Sequence, residues 1–136
     1  MTQNEVVSNM KLVMLHGSHN CGKTTVLQNL LNHLIDLGAT EIVPRRKLIW
    51  EGDFECLIEY SGKRIAFSSF GDYLFPIIRA IGYFDALQAD VLIIASSKNS
   101  VQHWTMDRRY PDNVSIEKNH LSDEQAQNII LSEIGL

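Results

Sequence analysis

Residues 17–24 read Gly17-Ser18-His19-Asn20-Cys21-Gly22-Lys23-Thr24, a complete G-x-x-x-x-G-K-[ST] pattern. A short apolar run, Leu12-Val13-Met14-Leu15, precedes it, and an amphipathic stretch from Val26 to Leu37 follows. A strand leading in and a helix leading out are the setting in which this pattern cradles phosphate. The octapeptide therefore constrains fold and ligand together. It asks for a strand–loop–helix unit of an α/β sheet, and its ligand class is a nucleoside triphosphate with Mg²⁺.

The chemistry explains the residue types. A triphosphate carries several negative charges, so its cradle needs many donors and few bulky side chains. Gly17 and Gly22 allow backbone turns that aim successive N–H groups of Ser18, His19, Asn20 and Cys21 inward. The following helix adds free N–H groups and about half a positive charge at its N-terminus. Lys23 is expected to bridge the β- and γ-phosphates as the principal catalytic cation, and the Thr24 hydroxyl to ligate Mg²⁺. Thr25 is expected to cap or pack.

At 136 residues the chain is expected to form one nucleotide-binding domain over 1–136. A net charge of −4 offers no electrostatic footprint for nucleic acid or an anionic membrane. No apolar run reaches the length of a membrane span. Met1 to Met10 is mostly polar and contains Glu5, unlike a secretion signal. The two cysteines, Cys21 and Cys56, lack metal-ligand spacing and read as reduced thiols, so the expected location is cytoplasmic. Cys21, beside the positive end of a helix, is either a redox handle or simply a small residue at a variable loop position.

Further along, Leu27, Leu30, Leu31, Leu34 and Ile35 recur at helical spacing, with His33 on the polar face and Gly38 as the stop. Ala39 to Gly52 contains Pro44 and Arg45-Arg46-Lys47 and has no clear period. Two strands, Glu55 to Tyr60 and Arg64 to Ser68, flank Ser61-Gly62 and form a hairpin. Pro76 suits the first turn of a helix carrying Ile77, Ile78 and Ile81, which Gly82 ends or weakens. Val91-Leu92-Ile93-Ile94-Ala95 reads as a strand buried on both faces of a parallel sheet. A polar excursion from Ser97 to Pro111, a short strand from Val114 to Glu117 and a capping box at Ser122-x-x-Gln125 complete the chain. The expected fold is a three-layer α/β arrangement, its sheet mostly parallel with one antiparallel hairpin strand. Its ligand rim gathers Gly17–Thr24, Ser69–Asp72 and Ser96–Asn99 at the carboxyl ends of the strands.

On these residues the chain resembles the P-loop nucleoside triphosphate hydrolase superfamily over nearly its whole length, and its layout is similar to that of small GTPases. Two motifs of that family are missing. Where the family has D-x-x-G, this chain has Ser68-Ser69-Phe70-Gly71, followed by Asp72. Where it has N-K-x-D, this chain has Ser96-Ser97-Lys98-Asn99, and Glu117-Lys118-Asn119-His120 does not restore the motif. ATP is therefore favoured over GTP, with another nucleoside triphosphate as the alternative. Asp72 is the substitute acid: the resemblance implies that it holds Mg²⁺ through water or orients the attacking group, while its own position equally suits a helix cap. Asp53 reads as solvent-facing.

What the resemblance implies is an ATP-binding, Mg²⁺-dependent hydrolase of slow turnover, because neither an arginine finger nor a water-positioning glutamine is evident. A protein partner or a second copy of the chain would supply the activating group. A small-molecule or nucleotide kinase is the first alternative, with Arg108-Arg109 as a lid and Arg79 or Arg45-Arg46 contacting the acceptor. A non-catalytic nucleotide-binding switch is the second.

Overall fold

The computed structural model describes residues 8–18, 21–47, 53–71, 74–96, 110 and 112–136. Among them, six strands and three helices follow one another as β1 (Lys11–His16), α1 (Lys23–Asp36), β2 (Thr40–Lys47), β3 (Phe54–Tyr60), β4 (Lys63–Gly71), α2 (Leu74–Ala86), β5 (Val91–Ser96), β6 (Asn113–Glu117) and α3 (Asp123–Glu133). The strands form one α/β sheet in the order β2-β3-β4-β5-β1-β6. Helices α1 and α3 pack on one face and α2 on the other. Apolarity on both sides of β1 follows from this. Val13 and Leu15 face α1, while Leu12 and Met14 join the cluster around α2.

Helix α1 is held by Val26, Leu27, Leu30, Leu31 and Leu34, all buried. Their spacing places one stripe against the sheet, with His33 exposed opposite. Replacing Leu30 by Ala would cost about 2–5 kcal/mol, since a fully buried side chain leaves a cavity the neighbours close only in part. Helix α2 runs through Gly82 to Ala86, so of the two expectations for Gly82, ending or weakening the helix, the first is not met. Buried Ile77, Ala80, Ile81 and Phe84 bind it to the sheet on both sides of the glycine, and this packing outweighs the roughly 1 kcal/mol penalty of a helical glycine.

The sheet is mixed, which corrects the expectation of a mostly parallel sheet with a single antiparallel hairpin strand. Pairs β4·β5, β5·β1 and β1·β6 are parallel, whereas β2·β3 and β3·β4 are antiparallel. The additional strand is β2, in the segment without a clear period. It is an edge strand, exposed along most of its length, with register shifts between Glu41 and Val43 and between Val43 and Arg46. Bulges and an edge position both erase alternation, and an edge also tolerates Pro44.

Register brings the ends of the four parallel strands to one level. Gly71 pairs with Ser96, Ser96 with His16, and His16 with Glu117. The segment after β1 therefore leaves the middle of a row of strand ends, the position at which α/β sheets bind ligands.

Candidate functional site

Strand β1 ends at His16, and the chain turns at Gly17 and Ser18 before α1 begins at Lys23. Gly22 is the N-cap of α1 with φ +95° and ψ 20°, a left-handed conformation that favours glycine. Gly22 brings no side chain to cap α1, and the first turn contains no acid. Helix α3 is built the opposite way. Ser122 accepts from the Gln125 N–H at 3.1 Å, Gln125 returns a bond to the Ser122 N–H at 2.9 Å, and Asp123 and Glu124 follow in the first turn. The positive end of α3 is compensated by its own sequence; the first turn of α1 carries Lys23, Thr24 and Thr25 instead, with Asp123 of α3 beside its Gly22 cap.

Lys23 reaches back across the loop, its ammonium donating to the Gly17 carbonyl at 3.0 Å. Cys21, Gly22, Lys23 and Thr24 are half-buried, whereas Ser18 and Thr25 are exposed. Of the two roles expected of Thr25, capping or packing, the packed one is not met. Two backbone donors hold the loop itself: the Cys21 N–H gives to the Ser18 carbonyl at 3.2 Å, and the Ser18 N–H gives to Asn119. His19, Asn20 and Asp72, also expected in the site, lie outside the described residues, as do Ser97, Lys98, Asn99, Arg108 and Arg109.

The turn between β6 and α3 clasps the loop, a relationship that does not follow from the sequence motifs. Asn119 Oδ1 accepts from the Ser18 N–H at 2.8 Å and from its hydroxyl at 3.1 Å, while Asn119 Nδ2 donates to Glu117 at 2.9 Å. The Lys118 N–H donates to the His16 carbonyl at 2.7 Å. The Lys118 ammonium is buried, bonded to the Leu121 carbonyl at 2.7 Å and paired with Asp123 at 3.2 Å. A Cβ on Gly17 would stand 2.7 Å from Asn119 Oδ1 and 2.8 Å from Cys21 Sγ, so a side chain there would make both of these side-chain ends shift. The available signal was Lys118-Asn119 at the end of a strand beside a strong helix cap; only the parallel pairing of β6 with β1 shows what it touches.

Ser69 and Asp53 meet farther along the rim. The Ser69 hydroxyl accepts from the Phe54 N–H at 2.8 Å and donates to Asp53 Oδ1 at 2.9 Å. Asp53 is half-buried rather than solvent-facing, because β3 runs antiparallel and so begins where β4 ends. Strand β5 separates β4 from β1, which puts this pair about 10 Å from β1 in the sheet direction. Ser68, in place of the D-x-x-G acid, is buried. Ser96 Oγ, in the rim row beside His16, is buried with no hydrogen-bond partner among the described residues.

Two pKa shifts bear on the chemistry. Burial pushes the Cys56 thiol up to about 12, making it an inert core residue. Burial alone would lower the Arg46 guanidinium, but the hydrogen bond and charge of Glu55 outweigh it and hold Arg46 above its ordinary value. Among the described residues, no group of three or more His, Cys, Asp or Glu side chains could hold a metal ion, and no helix is long and apolar enough to cross a membrane. Comparisons with protein-family models, with curated proteins and with solved structures give no match.

Proposed function

We propose that the chain is a cytoplasmic P-loop protein that binds a nucleoside triphosphate, ATP in preference to GTP, in the loop Gly17–Thr24 and hydrolyses it slowly. One observation carries the proposal. The loop leaves the carboxyl end of a non-edge parallel strand and enters a helix whose N-cap is the left-handed Gly22 and whose first turn has no acid, with the Lys23 ammonium reaching back to the Gly17 carbonyl. In this reading the N–H groups of the first turn of α1, the helix dipole and the ammonium act together on a polyphosphate, while the Ser18 and Cys21 N–H groups hold the loop in shape.

In this proposal the first turn of α1 and Lys23 take up the charge of the β- and γ-phosphates. Lys23 exchanges its contact with the Gly17 carbonyl for phosphate oxygens. Thr24, half-buried beside Lys23, offers the hydroxyl for Mg²⁺, which when bound would neutralise phosphate charge. Asp72, next in sequence after Gly71 at the rim end of β4, is the acid offered for metal-bound water or for orienting the attacking group. Gly17, Ser18 and Cys21 shape the loop, and Asn119 braces it. Intrinsic turnover on the order of 10⁻⁴ s⁻¹ is expected without a partner or second copy to add an activating group.

The test is phosphate release from ATP and from GTP, followed with and without Mg²⁺ in the unsubstituted protein and in Thr24→Ala. Slow, Mg²⁺-dependent release favouring ATP and reduced in Thr24→Ala is expected. Release indifferent to both Mg²⁺ and Thr24 would refute the assignment.

A further inference from the structure

Outside the loop, a cluster around Glu55 holds more positive than negative charge among its paired groups. Glu55, on β3, is 1% exposed, yet two arginines converge on its carboxylate. Arg46 of β2 donates through Nε to Oε1 at 2.8 Å, and Arg79 of α2 donates to Oε2. The Arg46 guanidinium also lies over the Tyr83 ring, 4.9 Å from its centroid. We propose that Arg46 and Arg79, aligned by Glu55, form a subsite for a phosphate group of a second small molecule at the β2 edge of the sheet.

A buried carboxylate needs one well-placed cation. A second guanidinium on the same carboxylate leaves a local excess of one positive charge, and the two cations repel each other. Among the described residues, neither arginine has another acidic partner. The Arg46 and Arg79 side chains are 47% and 39% exposed, so both are open to solvent while the acid that aligns them stays covered. Each guanidinium carries more N–H donors than its share of Glu55 accepts. Held on the two oxygens of one carboxylate, the two guanidiniums have N–H groups left over for an oxyanion with several oxygens, a ligand for which arginine surpasses lysine. Stacking on Tyr83 holds Arg46 in place before any ligand arrives.

The subsite is separate from the phosphate loop. Glu55 pairs with Ser68, and Ser68 with Ile94, two residues short of the rim at Ser96. That places the cluster about 7 Å below the rim and about 14 Å from β1, three strand spacings away. The triphosphate proposed for the loop does not account for it, and the cluster stands whether or not the loop binds nucleotide.

Inorganic phosphate titrated into full-length Lys23→Ala protein, with the Arg Nε–H resonances followed by NMR, tests the subsite with the loop disabled. Saturable shifts of Arg46 and Arg79 with a dissociation constant in the millimolar range are expected. Arg79→Gln and Arg46→Gln should each weaken the response roughly tenfold. Shifts reproduced by sodium chloride at matched ionic strength would overturn the proposal. So would acetate saturating the site as well as phosphate does, or an undiminished response in both variants. The titration needs no change in the cluster itself, so a variant that fails to fold does not shield the proposal. Failure of ATP binding in the unsubstituted protein would count against the loop alone.

Discussion

Asn119 Oδ1 accepts the Ser18 N–H at 2.8 Å across 101 residues of sequence, and it lies 2.7 Å from where a Cβ on Gly17 would stand. One side-chain atom thus braces the loop and occupies the space that glycine leaves. The link joins the first and last parallel strands of the chain through the turn that follows β6.

Asn119→Ala should cost about 1 kcal/mol of stability, the worth of an ordinary exposed hydrogen-bonded group, and weaken nucleotide affinity several-fold by loosening the loop. Gly17→Ala should be worse on both counts. The two substitutions should couple, since removing Asn119 relieves one of the two close contacts of the new methyl group; Cys21 Sγ at 2.8 Å remains. A double-mutant cycle by denaturant unfolding should give a coupling of about 0.5–2 kcal/mol. Strict additivity would show that the atoms do not compete for the same space.

Much of this arrangement is legible in the residues, and the rest is hidden for physical reasons. Strand β1, helix α1, the hairpin around Ser61-Gly62, strand β5 and the cap at Ser122 each announce themselves locally, through apolar period or turn chemistry. Strand β2 does not, because an exposed, bulged edge has no stripe to bury. Asp53 reads as solvated until β3 is known to run antiparallel and begin at the rim. Asn119 and the Glu55 cluster depend on partners that are distant in sequence or brought together by a helix and an edge strand. Short motifs carry local chemistry, but sheet order decides which of them meet.

The cap of α3 adjoins the loop, since Asp123 Oδ1 would lie 3.4 Å from a Cβ on Gly22, but Ser122 itself has its printed bonds within the cap. Ser122→Ala removes a reciprocal cap and should cost about 1 kcal/mol. ATP affinity should stay within twofold of the unsubstituted value. A large loss of affinity would mean that the β6–α3 turn positions the loop through its cap as well as through Asn119.

Glu55→Gln should destabilise the protein by about 1–3 kcal/mol in denaturant unfolding. The cost is moderated because both arginines are partly exposed and can turn toward water. Arg79→Met should cost less, since Glu55 keeps Arg46. The reverse order would mean that Arg79 packing, not charge alignment, dominates the cluster.

Cys56 should make stability depend on pH. Because burial raises the Cys56 pKa to about 12 from 9.0, the folded state holds that proton longer than the unfolded state does. This contribution is whole below about pH 9 and is lost as pH rises toward about 12, by at most roughly 1.4 kcal/mol per pH unit. Unfolding measured between pH 8 and 11 should therefore fall less steeply for Cys56→Ala than for the unsubstituted protein. At pH 8, a thiol reagent should modify the half-buried Cys21 and spare Cys56 in the native state. Equal modification of both would contradict the buried placement of Cys56.

Calorimetric titration of Mg²⁺–ATP into the unsubstituted protein and Lys23→Ala tests the central claim most directly. The account predicts saturable binding to the first and none to the second, with both showing the same cooperative unfolding. Equal affinity in the two proteins would contradict it.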